Sequence, residues 1–321
     1  MSQLPHLIYN PAAGKGRAGK LLPQVEALLQ KHGVAYQLTM TEGLGHAQEL
    51  SQTLAENGCP LIVAAGGDGT VNEVINGLML ARASRNGANG SGRNGATALG
   101  VLPIGRGNDF AYGAGIPLDL EAACVVLAGS ARCTIDVGRV EGGDFPGGRY
   151  FGNGIGLGFD AVVGFEANKM KRITGFLSYL AAVWNTMFIY SQAPVYEVTC
   201  DGSTTRKPFL MISTMNGRRL GGMFMVAPDA DTSDGLFDIC MAGKVSQLGI
   251  LGLVPKFING SQAGHSEVRF VRARKVHVRA VTGSIPAHAD GETICTAGQE
   301  LTIELLPAAL EVVTQKNGKA A

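Results

Sequence analysis

Glycine-rich turns follow three apolar, strand-like runs near the start of the chain, and this repetition constrains the fold more than any other feature. The turns begin at Asn10, Gly66 and Leu102. The pattern predicts short strands at Leu7–Tyr9, Tyr36–Thr39, Leu61–Ala65 and Leu99–Pro103, and it predicts helices at Lys20–His32, Ala47–Asn57 and Val71–Leu80. Alternating strands and helices are typical of a doubly wound α/β domain with a parallel sheet.

The pattern changes near Asp136 to alternating apolar runs with glycine turns, which predicts an antiparallel, β-sandwich-like domain. Two helix-like stretches interrupt it, at Thr174–Ile189 and Leu248–Ile258. We therefore expect an α/β domain at 1–135, a β-rich domain at 136–306, and a tail at 307–321 that can pack back on the first domain. The polar stretch Ser84–Gly95 predicts a mobile surface loop.

Composition limits the classes of partner. The net charge is +1 and charged residues make up 17% of the chain, so no strong field favours nucleic acid. The six cysteines form no C-x-x-C pair and no signal-peptide pattern opens the chain, which predicts reduced thiols and a cytoplasmic location. The apolar stretch Ile173–Ile189 is short and is interrupted by polar residues, so we do not expect it to span a membrane.

The glycine turns are candidate phosphate sites, and each has a simpler alternative. The first contains a formal G-x-G-x-x-G at Gly14, Gly16 and Gly19, which also suits an ordinary turn. The second, Gly66–Thr70, leads into a helix start whose N–H groups favour an anion. Within it, Asp68 implies a Mg²⁺ ion between carboxylate and phosphate, or else a turn-capping aspartate. Together the turns predict a ligand site at the carboxyl edge of the sheet.

Two acidic segments in the second half are candidate catalytic and metal sites. In A-D-G-E, Asp290 and Glu292 flank a glycine, and such a turn can present a general base, although D-G is also a common hairpin dipeptide. The segment PDADTSDGLFD carries Asp229, Asp231, Asp234 and Asp238. It suits Mg²⁺ or Ca²⁺, or it is a solvated acidic turn.

Lipid contact is a further expectation. Lys169, Lys171 and Arg172 precede the apolar stretch Ile173–Ile189, a pattern that suits a helix lying on an anionic membrane. Apolar helices packed against a sheet would give the same pattern. We expect transient contact at the inner face of the membrane and no nucleic-acid partner.

These pieces, in this order, resemble the catalytic family of diacylglycerol kinases in its bacterial lipid-kinase branch, which is related to sphingosine and ceramide kinases. The matching segments are N-P-A-A-G-K-G from Asn10, T-E-G-L-G-H-A from Thr41, G-G-D-G-T-V-N-E-V from Gly66, L-P-I-G-R-G-N-D-F from Leu102, N-G-R-R-L-G-G-M-F from Asn216, A-P-D-A-D-T-S-D-G-L-F-D from Ala227 and A-D-G-E from Ala289. The resemblance implies two domains with ATP in the cleft between them and a lipid hydroxyl as the phosphoryl acceptor.

Site residues follow from the resemblance by position. It implies a catalytic base from Asp290 and Glu292, and a structural Mg²⁺ held by the Asp234 carboxylate with backbone oxygens of Asp231 and Leu236. It implies nucleotide contacts from Asn10, Thr41, Gly66, Gly67, Asp68, Gly69, Thr70, Val71, Asn72, Gly105 and Arg106. The family commonly has Thr or Ser where Arg106 stands, and a guanidinium there can meet phosphate oxygens instead.

The sequence thus predicts a lipid kinase, dependent on ATP and Mg²⁺, that phosphorylates a hydroxyl of a diacylglycerol-like or sphingoid lipid. Two alternatives stay open. One is a kinase for a soluble substrate, of the NAD-kinase type, since G-G-D-G-T occurs there too. The other is a nucleotide-binding module without catalysis.

Overall fold

The computed structural model describes residues 4–88, 97–169, 182–187 and 193–315. The chain divides into two compact units, with boundaries after Val137 and after Leu306. We call Gly138–Leu306 the β-rich unit, and we call the part before it, together with the chain from Pro307 onward, the α/β unit. Two strands, β5 (Arg132–Gly142) and β15 (Glu300–Val313), cross these boundaries.

The α/β unit is built on a parallel sheet in the order β2-β1-β3-β4-β15. Its other elements are β1 (His6–Tyr9), α1 (Arg17–Lys31), β2 (Gln37–Met40), α2 (His46–Glu56), β3 (Leu61–Gly66), α3 (Asp68–Ala88), β4 (Ala98–Pro103), α4 (Asp109–Gly113) and α5 (Leu120–Gly129). Alternate strand residues such as Leu7, Tyr9 and Val63 pack against α1 and α5. The helices α2 and α3 pack against each other on the other face.

Strand register brings the ends of β1, β3 and β4 together. Tyr9 pairs with Ala65, and Gly66 pairs with Pro103, so each strand stops where the next stops. The turns that follow the three strands therefore start at one edge of the sheet. The last strand returns to this unit, where Val312 pairs with Leu99 and the Ala308 N–H donates to the buried Asp136 carboxylate.

The β-rich unit consists of antiparallel strands with a helical layer. Its elements are β6 (Phe145–Phe151), β7 (Gly154–Gly158), α6 (Phe159–Lys169), β8 (Val195–Cys200), β9 (Ser203–Met215), β10 (Phe237–Gly243), α7 (Gln247–Asn259), β11 (Val268–Ala273), β12 (Lys275–Ala280), β13 (Ile285–Ala289) and β14 (Glu292–Gly298). Residues 182–187 are also helical. One sheet runs β14-β13-β7-β9-β10-β11, and a second contains β9-β8-β12-β15.

Strand β9 joins the two sheets, because Ser203–Pro208 pairs with β8 while Phe209–Met215 pairs with β7 and β10. The inner faces bury one apolar core that includes the stacked rings of Phe151 and Phe237. A second core lies between the first sheet, α6, α7 and residues 182–187. The predicted α/β first half and antiparallel β second half are both confirmed.

Several local predictions need correction. Helix α3 continues to Ala88, so the first five residues of the predicted loop Ser84–Gly95 are helical, and residues 89–96 lie outside the described part. The polar Ser84 side chain fits within this helix because its hydroxyl donates a hydrogen bond to the Leu80 carbonyl, one turn earlier. Most of the predicted helix Thr174–Ile189, with Lys171 and Arg172, also lies outside the described residues.

Candidate active site

Contacts among the three glycine turns make them one surface in the α/β unit. The side-chain amide of Asn10, in the first turn, donates to the Thr70 hydroxyl of the second (2.9 Å). In the third turn, Ile104 donates its N–H to the Gly66 carbonyl (3.1 Å). A Cβ on Gly105 would stand 2.3 Å from the Cα of Gly67, so the second and third turns touch backbone to backbone. Close approach of this kind requires glycine.

The Asp68 side chain caps the third turn. Its Oδ1 accepts a hydrogen bond from the Phe110 N–H (3.1 Å) at the start of α4, and Asn108 Oδ1 accepts from the Gly105 N–H (3.1 Å). Burial raises the pKa of the Asp68 carboxyl, while backbone N–H groups of residues 108–110 oppose that rise. The sequence left two roles open for Asp68, which are binding Mg²⁺ and capping a turn. The hydrogen bond to Phe110 corresponds to turn capping.

The remaining predicted nucleotide-binding residues differ in accessibility. The Thr41 N–H donates to the Tyr9 carbonyl (2.8 Å), which holds Thr41 at the end of β1. Gly69 and Arg106 are exposed, whereas Val71 and Asn72 are buried in α3. The Asn72 side-chain oxygen accepts from the buried Asn76 amide (3.0 Å), so this contact lies inside the protein.

Sequence reasoning missed a supporting residue next to this surface. The buried Glu73 carboxylate accepts hydrogen bonds from the Gly45 N–H (3.0 Å) and the Ala47 N–H (3.1 Å). Because these N–H groups lie at the start of α2, Glu73 caps that helix and fixes the loop that follows Thr41. The only signal in the sequence was an acidic residue between the apolar positions Val71 and Val74 of α3.

In the β-rich unit, Asp290 anchors a backbone loop. Its Oδ2 accepts from the Gly152 N–H (2.7 Å), and its Oδ1 accepts from the N–H groups of Asn153 (3.1 Å) and Gly154 (2.9 Å). The carboxylate is buried, and the backbone at Asp290 has a φ of 49°. The resemblance implies a catalytic base from Asp290 and Glu292, and in the structure the Asp290 carboxylate binds backbone N–H groups of residues 152–154.

Glu292, two residues later, is arranged differently. Its Oε2 accepts from Nε (3.0 Å) and a terminal nitrogen (2.7 Å) of Arg149, on β6. Both side chains remain partly accessible, at 19% for Glu292 and 13% for Arg149. This forked ion pair fixes the orientation of the carboxylate. Arg149 had no signal in the sequence, because the pair joins residues far apart in the chain.

The acidic loop is partly neutralised by arginine. Asp234 accepts from the Leu236 N–H (3.0 Å) and pairs with Arg272, while Asp231 accepts from Ser233. Asp238 is buried, and its Oδ2 has no hydrogen-bond partner among the residues that the structure describes. Burial raises the pKa of Asp238, Arg272 lowers it, and the charges of Asp234, Asp229 and Asp231 raise it further.

This donor set suits a hard cation in its chemistry, because carboxylate and backbone oxygens are the ligands that Mg²⁺ prefers. The unpartnered Asp238 oxygen and the crowding of like charges are consistent with it. Within the described ranges, however, no three His, Cys, Asp or Glu side chains converge as a ready-made metal cluster. Any ion here would depend on backbone oxygens, as the family resemblance implies.

Among the described helices, none is both long and apolar enough to cross a bilayer.

Comparisons with known proteins match both halves of the chain. The family model of the diacylglycerol kinase catalytic domain matches residues 5–140, and that of the YegS C-terminal NAD kinase beta sandwich-like domain matches residues 153–314. A Mycobacterium tuberculosis protein named diacylglycerol kinase is 31% identical over 312 residues, covering 96% of this chain and 94% of the relative. A Bacillus subtilis protein of the same name is 29% identical over 289 residues, covering 89% and 88%.

Solved structures show the same fold. A diacylglycerol kinase from Bacillus anthracis aligns with a TM-score of 0.72 at 20% identity, covering 99% of this chain and 98% of that one. Yeast NADH kinase complexed with NADH aligns with a TM-score of 0.52 at 10% identity, covering 99% and 85%. The family models and the named relatives show the class of protein, which is a kinase whose acceptor is a hydroxyl group. The chain belongs to the diacylglycerol kinase family.

Proposed function

We propose that this enzyme transfers the γ-phosphate of ATP to a hydroxyl of a diacylglycerol-like or sphingoid lipid, with Mg²⁺ as the cofactor. The observation that carries the proposal is the meeting of three glycine turns at one sheet edge. Phosphoryl transfer depends mainly on positioning the phosphates and stabilising their charge. Because glycine carries no side chain, the backbone N–H groups of these turns can reach phosphate oxygens.

The α/β unit binds the nucleotide in this proposal. The surface formed by Asn10, Gly66–Thr70 and Gly105 cradles the phosphates, and the exposed Arg106 guanidinium pairs with phosphate oxygens. Asp68 acts by holding the third turn in place. Mg²⁺ bound with ATP neutralises the phosphoryl oxygens, and a second, structural ion would be held by Asp234 with oxygens of Asp231 and Leu236.

The β-rich unit supplies the base. Glu292 accepts the proton of the attacking hydroxyl, and Arg149 orients its carboxylate. Asp290 is a positioning residue, because its three backbone hydrogen bonds fix the loop beside β7 and the turn that carries Glu292.

Exposed apolar side chains in the β-rich unit support a lipid as the acceptor. Trp184, Leu248 and Leu251 are 54%, 81% and 39% exposed, and Gln247 at the start of α7 donates to the Met187 carbonyl. The three side chains therefore belong to neighbouring helical segments. We propose that this apolar surface, defined by Trp184, Leu248 and Leu251, contacts the membrane from which the lipid is taken.

Vesicle binding tests the membrane contact. Trp184 is the one tryptophan of the chain, so its emission reports on this surface alone. With phosphatidylglycerol vesicles we expect a blue shift and quenching by brominated lipid. The double variant Leu248→Ser, Leu251→Ser should bind at least tenfold more weakly, because each leucine gives up roughly 1 kcal/mol or more of burial. Leu118→Ser, at a leucine of the α/β unit that is about as exposed as Leu251, is the control; equal binding by all three proteins would contradict the assignment.

A direct assay tests the reaction. Purified enzyme is incubated with γ-labelled ATP and Mg²⁺, and separately with dioleoylglycerol, sphingosine and NAD, and products are identified by mass. We expect labelled lipid. Labelled NADP alone would support the soluble-substrate alternative, for which yeast NADH kinase provides only a likeness of fold. Tight ATP binding without any product would support a non-catalytic module.

A further inference from the structure

A small cavity lies at one edge of the β-rich unit, where β9 passes from one sheet to the other. It has a volume of about 70 Å³, and it is lined by β8 and β9 from one sheet and by β10 and β11 from the other. Strand β11 is the last strand of the first sheet, whereas β13 and β14, which flank the D-G-E turn, form its opposite edge. The cavity is therefore separate from the proposed base.

Strand register places two cations on the inner face of this edge. Lys207 pairs with the buried Tyr196 of β8, and Arg269 pairs with the buried Met241 of β10. Directly paired residues point to the same face of a sheet, and both Tyr196 and Met241 belong to the core between the sheets. Lys207 and Arg269 therefore line the cavity from opposite sheets, at positions where an antiparallel sheet normally has apolar residues.

The charges of these two cations are not balanced as those of their neighbours are. Arg272 and Arg279 each form an ion pair with a carboxylate. Within the described part of the chain, neither Lys207 nor Arg269 forms an ion pair, and the Lys207 ammonium lies over the buried ring of Phe209, 5.2 Å from its centroid. Two cations that face one space repel each other, and an anion between them would relieve that repulsion.

Two hydroxyl groups face the same space. Ser203 pairs with the buried Cys200, and Thr205 pairs with the buried Val198, so both hydroxyl side chains lie on the inner face and line the cavity. Hydroxyl groups donate to anionic oxygens, as ammonium and guanidinium groups do. A water molecule needs about 10–15 Å³ of such space, so the cavity has room for a single phosphate group and is too small for a whole nucleotide.

We propose that Lys207, Arg269, Ser203 and Thr205 form a second anion site, which binds one phosphate group. Donors from two sheets surround the space, which suits a tetrahedral group with oxygens on every side better than a flat carboxylate. Inorganic phosphate and the phosphomonoester headgroup of an anionic lipid share this chemistry. A phosphate held by both cations links β9 to β11 and so joins the edges of the two sheets.

Backbone amide NMR signals report on this site separately from the nucleotide turns. Isotope-labelled, full-length enzyme is titrated with sodium phosphate, dihexanoyl phosphatidic acid and sodium acetate at constant ionic strength, because salt screens exposed charges. We expect saturable shifts of the Ser203, Thr205 and Arg269 signals with phosphate. Tighter binding of dihexanoyl phosphatidic acid would support the lipid headgroup as the ligand, and tighter binding of phosphate would support the free ion. Equal affinity for acetate would overturn the assignment to phosphate.

Three variants complete the test. Lys207→Gln and Arg269→Gln should each weaken phosphate binding at this site by at least about tenfold, because each removes a charge-assisted hydrogen bond. Arg206→Gln is the matched control. Arg206 adjoins Lys207 on β9, but it pairs with Glu197 on the opposite face of the sheet, so this variant should bind phosphate like the wild type.

Absence of saturable shifts at Ser203 and Thr205, or wild-type affinity in both Lys207→Gln and Arg269→Gln, would overturn the anion site. The inward-pointing cations would then serve only to keep a sheet edge from pairing with another chain. The titration contains neither ATP nor an acceptor, so its outcome is independent of the proposed kinase reaction.

Discussion

The two carboxylates of the D-G-E turn should respond differently to loss of charge. In Asp290→Asn, one amide oxygen replaces two carboxylate oxygens that accept three backbone N–H groups. If that oxygen keeps the Asn153 and Gly154 bonds, the Gly152 N–H faces an amide donor inside the protein. A hydrogen bond to a charged acceptor contributes about 1.5–3 kcal/mol, and a stranded buried donor costs about 1–3 kcal/mol. We expect the free energy of unfolding of the β-rich unit to fall by about 3 kcal/mol.

Glu292→Gln should affect stability less and catalysis more. Glutamine keeps an oxygen for Arg149, and the pair is partly solvated, so we expect a loss of about 1 kcal/mol. Removal of a general base lowers kcat by about 10²–10⁴-fold. Asp290→Asn retains Glu292, so its kcat should fall less, measured at a temperature where the variant is folded.

Urea unfolding followed by Trp184 emission measures the first effect, because this tryptophan lies in the β-rich unit. Lipid phosphorylation by each folded variant measures the second. Asp144→Asn is the matched control, because it makes the same substitution at an exposed carboxylate of the same unit. It should change stability by less than about 0.5 kcal/mol. Wild-type stability in Asp290→Asn, or wild-type kcat in Glu292→Gln, would refute the reasoning.

Three further predictions concern the nucleotide turns and two buried titratable residues, Asp160 on α6 and His288 on β13. Gly105→Ala should abolish ATP binding in calorimetry, because the new Cβ would stand 2.3 Å from Gly67 Cα, whereas Gly69→Ala has open space and should fold like the wild type. The pKa of Asp160 is raised in the folded state, so its contribution to stability should fall as pH rises from about 4 to 7, by up to ~4 kcal/mol; Asp160→Asn should therefore gain stability relative to wild type at pH 8, and an equal difference at pH 4 and pH 8 would contradict this. The pKa of His288 is lowered, so stability should fall as pH drops from 6.5 through about 4, and His288→Gln should remove that loss in thermal melts.

The order of strands and helices in the α/β unit was predictable because local patterns produce it. Each strand is a short apolar run that ends at a glycine turn, and each helix has an amphipathic period. Helix α6 gave no such signal, because its apolar residues do not form a clear stripe. The sequence predicted a tail from residue 307 onward, but β15 runs from Glu300 to Val313 through Pro307, a residue that usually ends a strand.

The site was predictable only where its chemistry is local. The glycine turns and the D-G-E turn are contiguous in sequence, so their residue types already indicate phosphate binding and proton transfer. The ion pair of Glu292 with Arg149 joins residues more than a hundred positions apart. No spacing rule connects such residues, because the sheet register of the β-rich unit brings them together.

Phosphate transfer to lipid is the most direct test of the account. Wild-type enzyme and Glu292→Gln are incubated with γ-labelled ATP, Mg²⁺ and dioleoylglycerol micelles, and the lipid product is identified by mass. The account predicts labelled phosphatidic acid from the wild type and at least a hundredfold less from Glu292→Gln at equal folded concentration. Equal product from both enzymes would contradict the assigned base, and absence of labelled lipid from the wild type would contradict the proposed reaction itself.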